Sequence, residues 1–191
     1  MRIDHVVYGT RDLDDAQARV ERELGLDVQP GGHHVGQGTH NRIVPLGNAY
    51  LELLAVDDRD EAAASPIGRI LLERITGEGL IAWAVAVADL HAVADRLGTP
   101  LLTVSRGGLE GHLTGVEEAL REPTLPFFIS ARTRPGEGGS ARLQWIEVRG
   151  DEQRLADWLG GAELPVRVTP GEPAVLAVGI GGRTFSGSHA V

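Results

Sequence analysis

An internal repeat constrains the fold of this chain more than any other feature of its sequence. A strand-like segment, residues 2–9, precedes a helix that begins near Asp12, and a second such segment, residues 80–87, precedes a helix that begins at Asp89. Placing Asp89 on Asp12 aligns the two units at an offset of 77 residues. Each helix carries apolar residues at three- and four-residue spacing, namely Leu13, Ala16, Val20 and Leu24 in the first and Leu90, Val93, Ala94 and Leu97 in the second. We therefore expect two similar modules.

The stretch 41–56 predicts a β-hairpin that encloses a carboxylate. Two β-prone runs flank Gly47 and Asn48, a pair suited to a tight turn. With that turn, alternation gives a wholly apolar face of Val44, Leu46, Leu51 and Leu53 and a second face of Asn41, Ile43, Pro45, Tyr50, Glu52 and Leu54. Glu52 then lies in mid-strand between apolar neighbours. A buried carboxylate without a partner is costly or takes up a proton, so Glu52 needs a cation, a metal or a hydrogen-bond donor.

The remaining segments complete a single domain. We divide the chain into module one (1–57), a connector helix (58–77), module two (78–150) and a C-terminal extension (151–191). Residues 142–148 are expected to be the last strand of module two, in the position that the Glu52 strand holds in module one. The extension is expected to add one helix and short strands.

Composition and charge exclude several classes of function. The chain has 191 residues, no cysteine and a formal net charge of -9, and all its basic residues are arginine. These features exclude thiolate chemistry and Schiff-base chemistry and argue against a nucleic-acid partner. Because neither a signal peptide nor an apolar run long enough to span a membrane is apparent, we expect a cytoplasmic protein that does not contact a membrane.

Three stretches resemble the glyoxalase-like branch of the vicinal oxygen chelate superfamily, which includes glyoxalases, extradiol dioxygenases and bleomycin-resistance proteins. They are IDHVVYGTRDLDDA at the N-terminus, PGGHHVGQGTHNRIVPLGNAYLELLAV in the middle and LPFFISA in the second half. The resemblance covers roughly residues 3–150. It implies an α+β fold of paired βαβββ modules, each bending its sheet into a half barrel around a cleft.

The resemblance also implies a divalent metal in that cleft, held by the first and last strands of the modules. By position the metal ligands are His5 and Glu52, and Glu52 is the expected catalytic residue. This donor set suits manganese, iron, nickel, zinc or cobalt. The implied function is a metal-dependent lyase, isomerase or dioxygenase acting on a small oxygen-rich substrate, with a homodimer as a further option.

The second module departs from the family pattern. At the offset of 77 residues His5 falls on Ala82, which cannot bind a metal. Gln144 or Glu147 of the expected last strand, or else His40, would have to complete the coordination sphere, because catalytic sites usually have three protein ligands. Two alternatives therefore stay open: a hydrogen-bonded His5–Glu52 pair without metal, and a protein that sequesters a small molecule without chemistry, as bleomycin-resistance proteins do.

The other candidate residues concern a ligand pocket. We expect substrate contacts from Asn41, Tyr50, Trp83, Phe127, Gln144 and Trp145, although large aromatic residues are more often part of a core. We expect His33, His34 and His40 to face solvent in a glycine-rich loop, and Arg132 and Arg134 to lie in a solvated loop rather than an anion site.

Overall fold

The repeat forms two βαβββ modules, and the fold class is α+β. The structure is a computed structural model that describes residues 1–106, 109–130 and 138–187, so Arg132, Arg134 and their loop lie outside the described residues. Module one consists of β1 (Arg2–Gly9), α1 (Leu13–Leu24), β2 (Gln29–His34), β3 (Thr39–Pro45) and β4 (Tyr50–Val56). Two connector helices follow, α2 (Arg59–Ala64) and α3 (Pro66–Arg74). Module two consists of β5 (Gly79–Ala86), α4 (Leu90–Leu97), β6 (Leu101–Arg106), β7 (Leu109–Thr114), α5 (Val116–Arg121) and β8 (Phe127–Ser130).

The eight strands of the two modules close into one barrel, in the order β1-β4-β3-β2-β6-β7-β8-β5. The modules meet where β1 pairs antiparallel with β5, and inside each module the first strand pairs in parallel with the last. The hairpin of β3 and β4 has the predicted register, with Ile43 opposite Glu52 and Pro45 opposite Tyr50. Its apolar face packs in the core outside the barrel. The other face, with Glu52, therefore points to the barrel interior.

The strand registers confirm the offset of 77 residues. Val6 pairs with Trp83, its own counterpart at that offset, so an approximate twofold axis passes between them. Val7 lies opposite Glu52 in module one, and Ala84 lies opposite Phe127 in module two. Phe127 is therefore the counterpart of Glu52, just as Ala82 is the counterpart of His5.

A β-bulge changes the faces of β1. Ile3 and His5 pair with the adjacent residues Val85 and Ala84, which leaves Asp4 as the extra residue. Because a bulge rotates the strand, Asp4 and His5 both line the interior, and Ile3 turns to the outer core. Strict alternation along β1 would instead place Ile3 beside His5 and Asp4 on the opposite face.

The last strand of module two is β8, not residues 142–148. Those residues form β9 (Leu143–Arg149), which belongs to a separate sheet of order β10-β9-β11-β12. Its other members come from the extension, which consists of α6 (Glu152–Leu159), β10 (Val166–Thr169), β11 (Ala174–Ile180) and β12 (Arg183–Ser186). The alternating burial of β9 suits a sheet with one exposed face, whereas β8 is buried over Phe127, Phe128 and Ile129. Alternation indicates a strand but does not identify its neighbours.

The connector also differs from the single helix expected. Residues 59–64 form a separate short helix, α2, whose N-terminal amides are capped by the Asp58 side chain. Ser65 caps α3, and Pro66 occupies its first turn. Ile67 and Leu71 of α3 then cover one end of the barrel interior.

We predict that Gly38→Ala destabilises the fold much more than Gly36→Ala. Both glycines have positive φ, at 63° and 78°, in the turn between β2 and β3. A Cβ at Gly38 would lie 2.2 Å from the Asp58 carbonyl oxygen and 2.4 Å from the Ala62 nitrogen, whereas a Cβ at Gly36 meets nothing within 4 Å. Gly36→Ala should lower the free energy of unfolding by about 1–2 kcal/mol from the backbone alone. Gly38→Ala should add roughly 1–3 kcal/mol for the overlap.

Urea denaturation of both variants measures the difference, and Gly36→Ala is the matched control for the positive φ. Equal losses of stability would show that the contact between Gly38 and α2 is not as tight as described.

Candidate functional site in the barrel interior

The barrel encloses a cavity of about 180 Å³ with one polar side and one apolar side. The polar lining comes almost wholly from module one, as Asp4, His5, His34, Thr39 and Glu52. Module two and α3 supply an apolar wall, mainly Ile67, Leu71, Ala82, Leu113, Val116, Leu120, Phe127 and Ile129. Among the described lining residues of module two, the polar exception is Glu110, an exposed residue of β7. A ligand in this cavity would therefore meet polar and apolar groups on opposite sides.

Asp4 and His5 form a hydrogen-bonded pair at the bulge of β1. His5 Nδ1 lies 3.1 Å from Asp4 Oδ2, and Arg2 Nη1 lies 3.2 Å from Asp4 Oδ1. Burial raises the pKa of Asp4, but the hydrogen bond with His5 and the charges of His5 and Arg2 outweigh it, so this pKa lies below its ordinary value. The Asp4 carboxylate is thus ionised and can only accept, which places a proton on His5 Nδ1. His5 Nε2 is then the nitrogen that faces Glu52.

Aromatic rings fix the plane of the His5 imidazole. Tyr50, its register neighbour on β4, stacks on it with a centroid distance of 4.4 Å and an interplanar angle of 18°. Phe127 approaches its edge at 5.3 Å and 67°. Both side chains line the cavity, as the sequence predicted for them. The ring of His5 is therefore held between the two modules.

Glu52 is a buried carboxylate held by an amide. Its exposed fraction is 8%, and Asn41 Nδ2 donates a hydrogen bond to its Oε1 atom. Asn41 is oriented in turn because its Oδ1 accepts from the Gly32 backbone N–H at 3.0 Å. Glu52 Oε2 lies 3.7 Å from His5 Nε2, so the predicted approach of these two side chains is present. Asn41 thus supports the site by positioning Glu52.

His34 is a member of the site that the sequence reasoning missed. Its Nε2 lies 3.3 Å from Asn41 Nδ2 and 3.7 Å from Glu52 Oε1, and its Nδ1 lies 3.0 Å from Thr39 Oγ1. The expectation that all three neighbouring histidines face solvent was wrong for His34. The glycine-rich stretch is part of β2, and alternation along that strand separates His34 from His33.

His33 and His40 lie at the surface, as expected, with side-chain exposed fractions of 41% each. His33 Nδ1 lies 2.9 Å from Asp57 and its Nε2 lies 3.0 Å from Glu61. The hydrogen bond with Asp57 raises the pKa of His33 above its ordinary value. These contacts connect the β2–β3 hairpin to the connector.

A family model described as a glyoxalase-like domain matches residues 3–163 of this chain. The chain belongs to the glyoxalase-like domain family. The resemblance to the vicinal oxygen chelate superfamily that was drawn from the sequence is thereby confirmed.

Solved structures show the same fold at low sequence identity. A hypothetical protein from Staphylococcus aureus has a TM-score of 0.73 and 16% identity, covering 94% of this chain and 90% of that one. Methylmalonyl-CoA epimerase from Streptomyces coelicolor, in complex with 2-nitronate-propionyl-CoA, has a TM-score of 0.52 and 21% identity, covering 70% and 99%. The epimerase from Mycobacterium tuberculosis has a TM-score of 0.50 and 24% identity, covering 69% and 89%. No curated protein sequence matches this chain.

Three expected substrate contacts of the glyoxalase-like cleft lie elsewhere in the structure. Trp83 is fully buried in the outer core, where its Nε1 donates to the Thr124 carbonyl at 3.3 Å, because it alternates with the inward-facing Ala82 and Ala84. Gln144 is exposed on β9 and accepts from the Gly182 N–H at 2.9 Å. Trp145 lies on the second sheet under the guanidinium of Arg167, 4.3 Å from the ring centroid. The expectation that these side chains line the cleft was wrong, because Trp83 faces outward from β5 and because β9, which carries Gln144 and Trp145, is not a barrel strand.

The same placement removes the expected third metal ligands. Gln144 and Glu147 belong to β9, and His40 is at the surface. The positions related by the twofold axis to His5 and Glu52 hold Ala82 and Phe127, which have no donor atoms. Within the described residues, no group of three histidine or carboxylate side chains has the geometry to hold a metal. The donor set therefore does not fit the four-position metal site that glyoxalase-like symmetry would provide.

We predict energetic coupling between Asn41 and Glu52. Asn41→Ala should lower the free energy of unfolding by about 1–3 kcal/mol, because Glu52 Oε1 would stay buried without its donor. In the Glu52→Gln background the same substitution should cost less, since the buried negative charge is absent. A double-mutant cycle measured by urea denaturation gives the coupling free energy. Additive effects of the two substitutions would show that the amide does not support the carboxylate.

Proposed function

We propose that this protein is an enzyme that holds a small, partly apolar molecule in its barrel and moves a proton at the polar end of that molecule. The observation that carries the proposal is the line of Asp4, His5 and Glu52 on one side of the cavity, opposite an apolar wall. A carboxylate that orients a histidine, whose free nitrogen faces the ligand space, is a common arrangement for general acid–base catalysis.

Each residue of this line has a distinct role in the proposal. His5 Nε2 is the base that removes a proton from a carbon next to a carbonyl group of the ligand, and the bonding electron pair delocalises onto the carbonyl oxygen. Asp4 fixes the tautomer and the ring direction through Nδ1. Glu52, 3.7 Å from Nε2, stabilises the imidazolium that forms and contacts the ligand. Return of the proton to the same or a neighbouring carbon completes an isomerase-type or lyase-type step.

Tyr50 and Phe127 are the proposed substrate-binding residues. Both line the cavity and both contact the His5 ring, so a flat or branched apolar group beside them would lie next to the reacting nitrogen. Asn41 acts through Glu52 and is a positioning residue.

A metal is not needed for this step. His5 and Glu52 are the two side chains that would coordinate a manganese, iron, nickel, zinc or cobalt ion. Such an ion would act as a Lewis acid on a substrate oxygen. Because Ala82 and Phe127 offer no donor atoms on the other side, we derive no step through an ion. The dioxygenase alternative depends on those absent ligands and is less well supported than proton transfer.

We predict weak metal binding that improves when the symmetric ligands are restored. Calorimetric titration of the wild type with Mn²⁺, Ni²⁺ and Zn²⁺ should give substoichiometric or weak binding. Ala82→His, alone and combined with Phe127→Glu, places donors opposite His5 and Glu52 and should tighten binding at least about tenfold. Tight stoichiometric binding by the wild type that is lost in His5→Asn would show that the protein holds a resident metal.

A second candidate function is sequestration of a small molecule without chemistry. It is favoured by the apolar wall of module two, which gives a ligand a place to bind and whose described lining residues include no reacting group except the exposed Glu110. Barrel closure within one chain means that neither candidate needs a second copy, so the homodimer stays a prediction. None of the described helices is long and apolar enough to cross a membrane, and the cytoplasmic location stays a prediction too.

One experiment separates the two candidates. Small ketones and amino ketones of six to ten non-hydrogen atoms (about the size of ligands in cavities of this volume) are incubated with the protein in D₂O. Proton NMR then follows replacement of the hydrogen next to the carbonyl by deuterium. We expect the wild type to catalyse exchange for some of these compounds. His5→Asn and Glu52→Gln should slow the exchange at least about 100-fold, the usual scale of acid–base catalysis.

The control is His91→Asn, which removes an exposed histidine of α4 that does not line the cavity. Binding of the compounds without exchange would favour sequestration. Exchange that survives in both site variants would show that His5 and Glu52 are not the catalytic groups.

A further inference from the structure

Helices α3 and α5 form a second cavity on the side that faces away from the barrel. The two helices pack against each other, and the barrel interior is lined by their residues Ile67, Leu71, Val116 and Leu120. Their outer residues enclose a groove of about 420 Å³, which we call the α3–α5 groove. Leu120 contributes to both linings. The groove is therefore separated from the barrel interior by the helices themselves.

Arg74 lines this groove and carries a charge that the described part of the chain does not neutralise. Its side chain is partly buried, and its Nε atom is buried without a hydrogen-bond acceptor among the described residues. Burial lowers the pKa of Arg74, and no carboxylate of those residues lies close enough to oppose this effect. The last turn of α3 favours a cation through the helix dipole, but this leaves Nε unbonded. An anion beside the guanidinium would therefore stabilise it.

The other charged residues of the groove leave it with an excess of positive charge. Arg69 donates a hydrogen bond to the Ala63 carbonyl at 3.1 Å and forms no ion pair with the described carboxylates. Arg121 and Glu117 pair at 3.3 Å, which balances their charges. Glu73, an exposed residue, is the other carboxylate of the described lining. Three arginines thus stand against two glutamates, and on a chain with a formal net charge of -9 this groove attracts anions locally.

The chemistry and size of the groove indicate which anions fit. Guanidinium groups bind phosphate and carboxylate oxygens through paired hydrogen bonds, and their charge is delocalised over all three nitrogens. Pro66, Ile70 and Leu120 add apolar surface beside the arginines. The groove, at about 420 Å³, is larger than the barrel cavity of about 180 Å³, so it has room for more than the anionic group. These features suit an oxyanion that is attached to a hydrocarbon group.

We propose that the α3–α5 groove is a second binding site, for a small organic phosphate or carboxylate. Its oxyanion lies at the Arg74 guanidinium, with Arg69 adding positive charge, and its hydrocarbon group lies against Ile70 and Leu120. The site does not depend on the chemistry proposed for the barrel. Because α3 and α5 both line the barrel interior, a ligand that contacts both helices holds them together and stabilises the fold.

The binding test uses three probes that share a phenyl group: phenyl phosphate, benzoate and phenol. Isothermal titration calorimetry at neutral pH gives Kd for each. We expect at least one of the two anions to bind at least about tenfold tighter than phenol, because only an anion neutralises the guanidinium. Arg74→Met should weaken that anion at least about tenfold and leave phenol nearly unchanged. Arg11→Met, an equal change of net charge at an exposed residue outside the groove, should keep the preference.

Thermal melts distinguish a binding role of Arg74 from a structural one. Without anion, Arg74→Met should melt at about the same temperature as the wild type, because the substitution removes a partly buried charge that has no partner. The tighter-binding anion should raise the Tm of the wild type and of Arg11→Met but not that of Arg74→Met. A lower Tm of Arg74→Met together with an unchanged Kd for the anion would show a structural arginine and overturn the proposal.

Two further results would contradict the proposed anion site. Equal binding of the three probes, or no binding of either anion at millimolar concentration, overturns it. Binding of an anion that survives Arg74→Met but is weakened by Phe127→Ala places that anion in the barrel and also overturns it. None of these results bears on the proton transfer proposed for His5, which the exchange experiment in D₂O tests separately.

Discussion

The antiparallel pairing of β1 with β5 is the contact on which the barrel and its interior depend. It joins the two modules about an approximate twofold axis at Val6 and Trp83 and closes the barrel within one chain. The bulge at Asp4, on the same strand, turns two consecutive polar side chains inward. One strand pairing therefore sets the position of His5, the position of its partner Asp4 and the apolar residues opposite them.

The site is asymmetric although the fold is symmetric. Module one supplies His5 and Glu52, and the symmetric positions of module two hold Ala82 and Phe127. These replacements give up donor atoms and gain apolar surface, and Phe127 also packs against the edge of the His5 ring. A cavity with donors on one side and hydrocarbon on the other distinguishes the two ends of a ligand, which a symmetric metal site would not do. In this glyoxalase-like fold, module one supplies the polar groups of the cavity and module two supplies most of its apolar surface.

Local patterns in the sequence were sufficient to predict the hairpin, whereas the meeting of His5 with Glu52 was predicted from the resemblance to the glyoxalase-like family. The Gly47–Asn48 turn and the alternation around Glu52 depend on neighbours in the chain, and the offset to Ala82 depends on two similar helix starts. The errors concern long-range information. The placement of β9 depends on partners from the extension, the bulge at Asp4 depends on β5, and the inward position of His34 depends on β2 being a strand despite its glycines. Alternation cannot report any of these.

The stability of the fold and the use of the site are opposed at Glu52. Burying a carboxylate that is only 8% exposed is unfavourable, and the Glu52 side chain accepts a hydrogen bond from the amide of Asn41, which is itself fixed by the Gly32 N–H, while His5 and His34 lie 3.7 Å away. An arginine in the cavity would neutralise Glu52 more completely, but its side chain would fill the space and occupy the acceptor atoms. The amide satisfies only Oε1 and leaves Oε2 facing His5. The protein therefore fixes one oxygen of Glu52 with an amide and leaves the other facing His5 and the cavity, where the proposed ligand would bind.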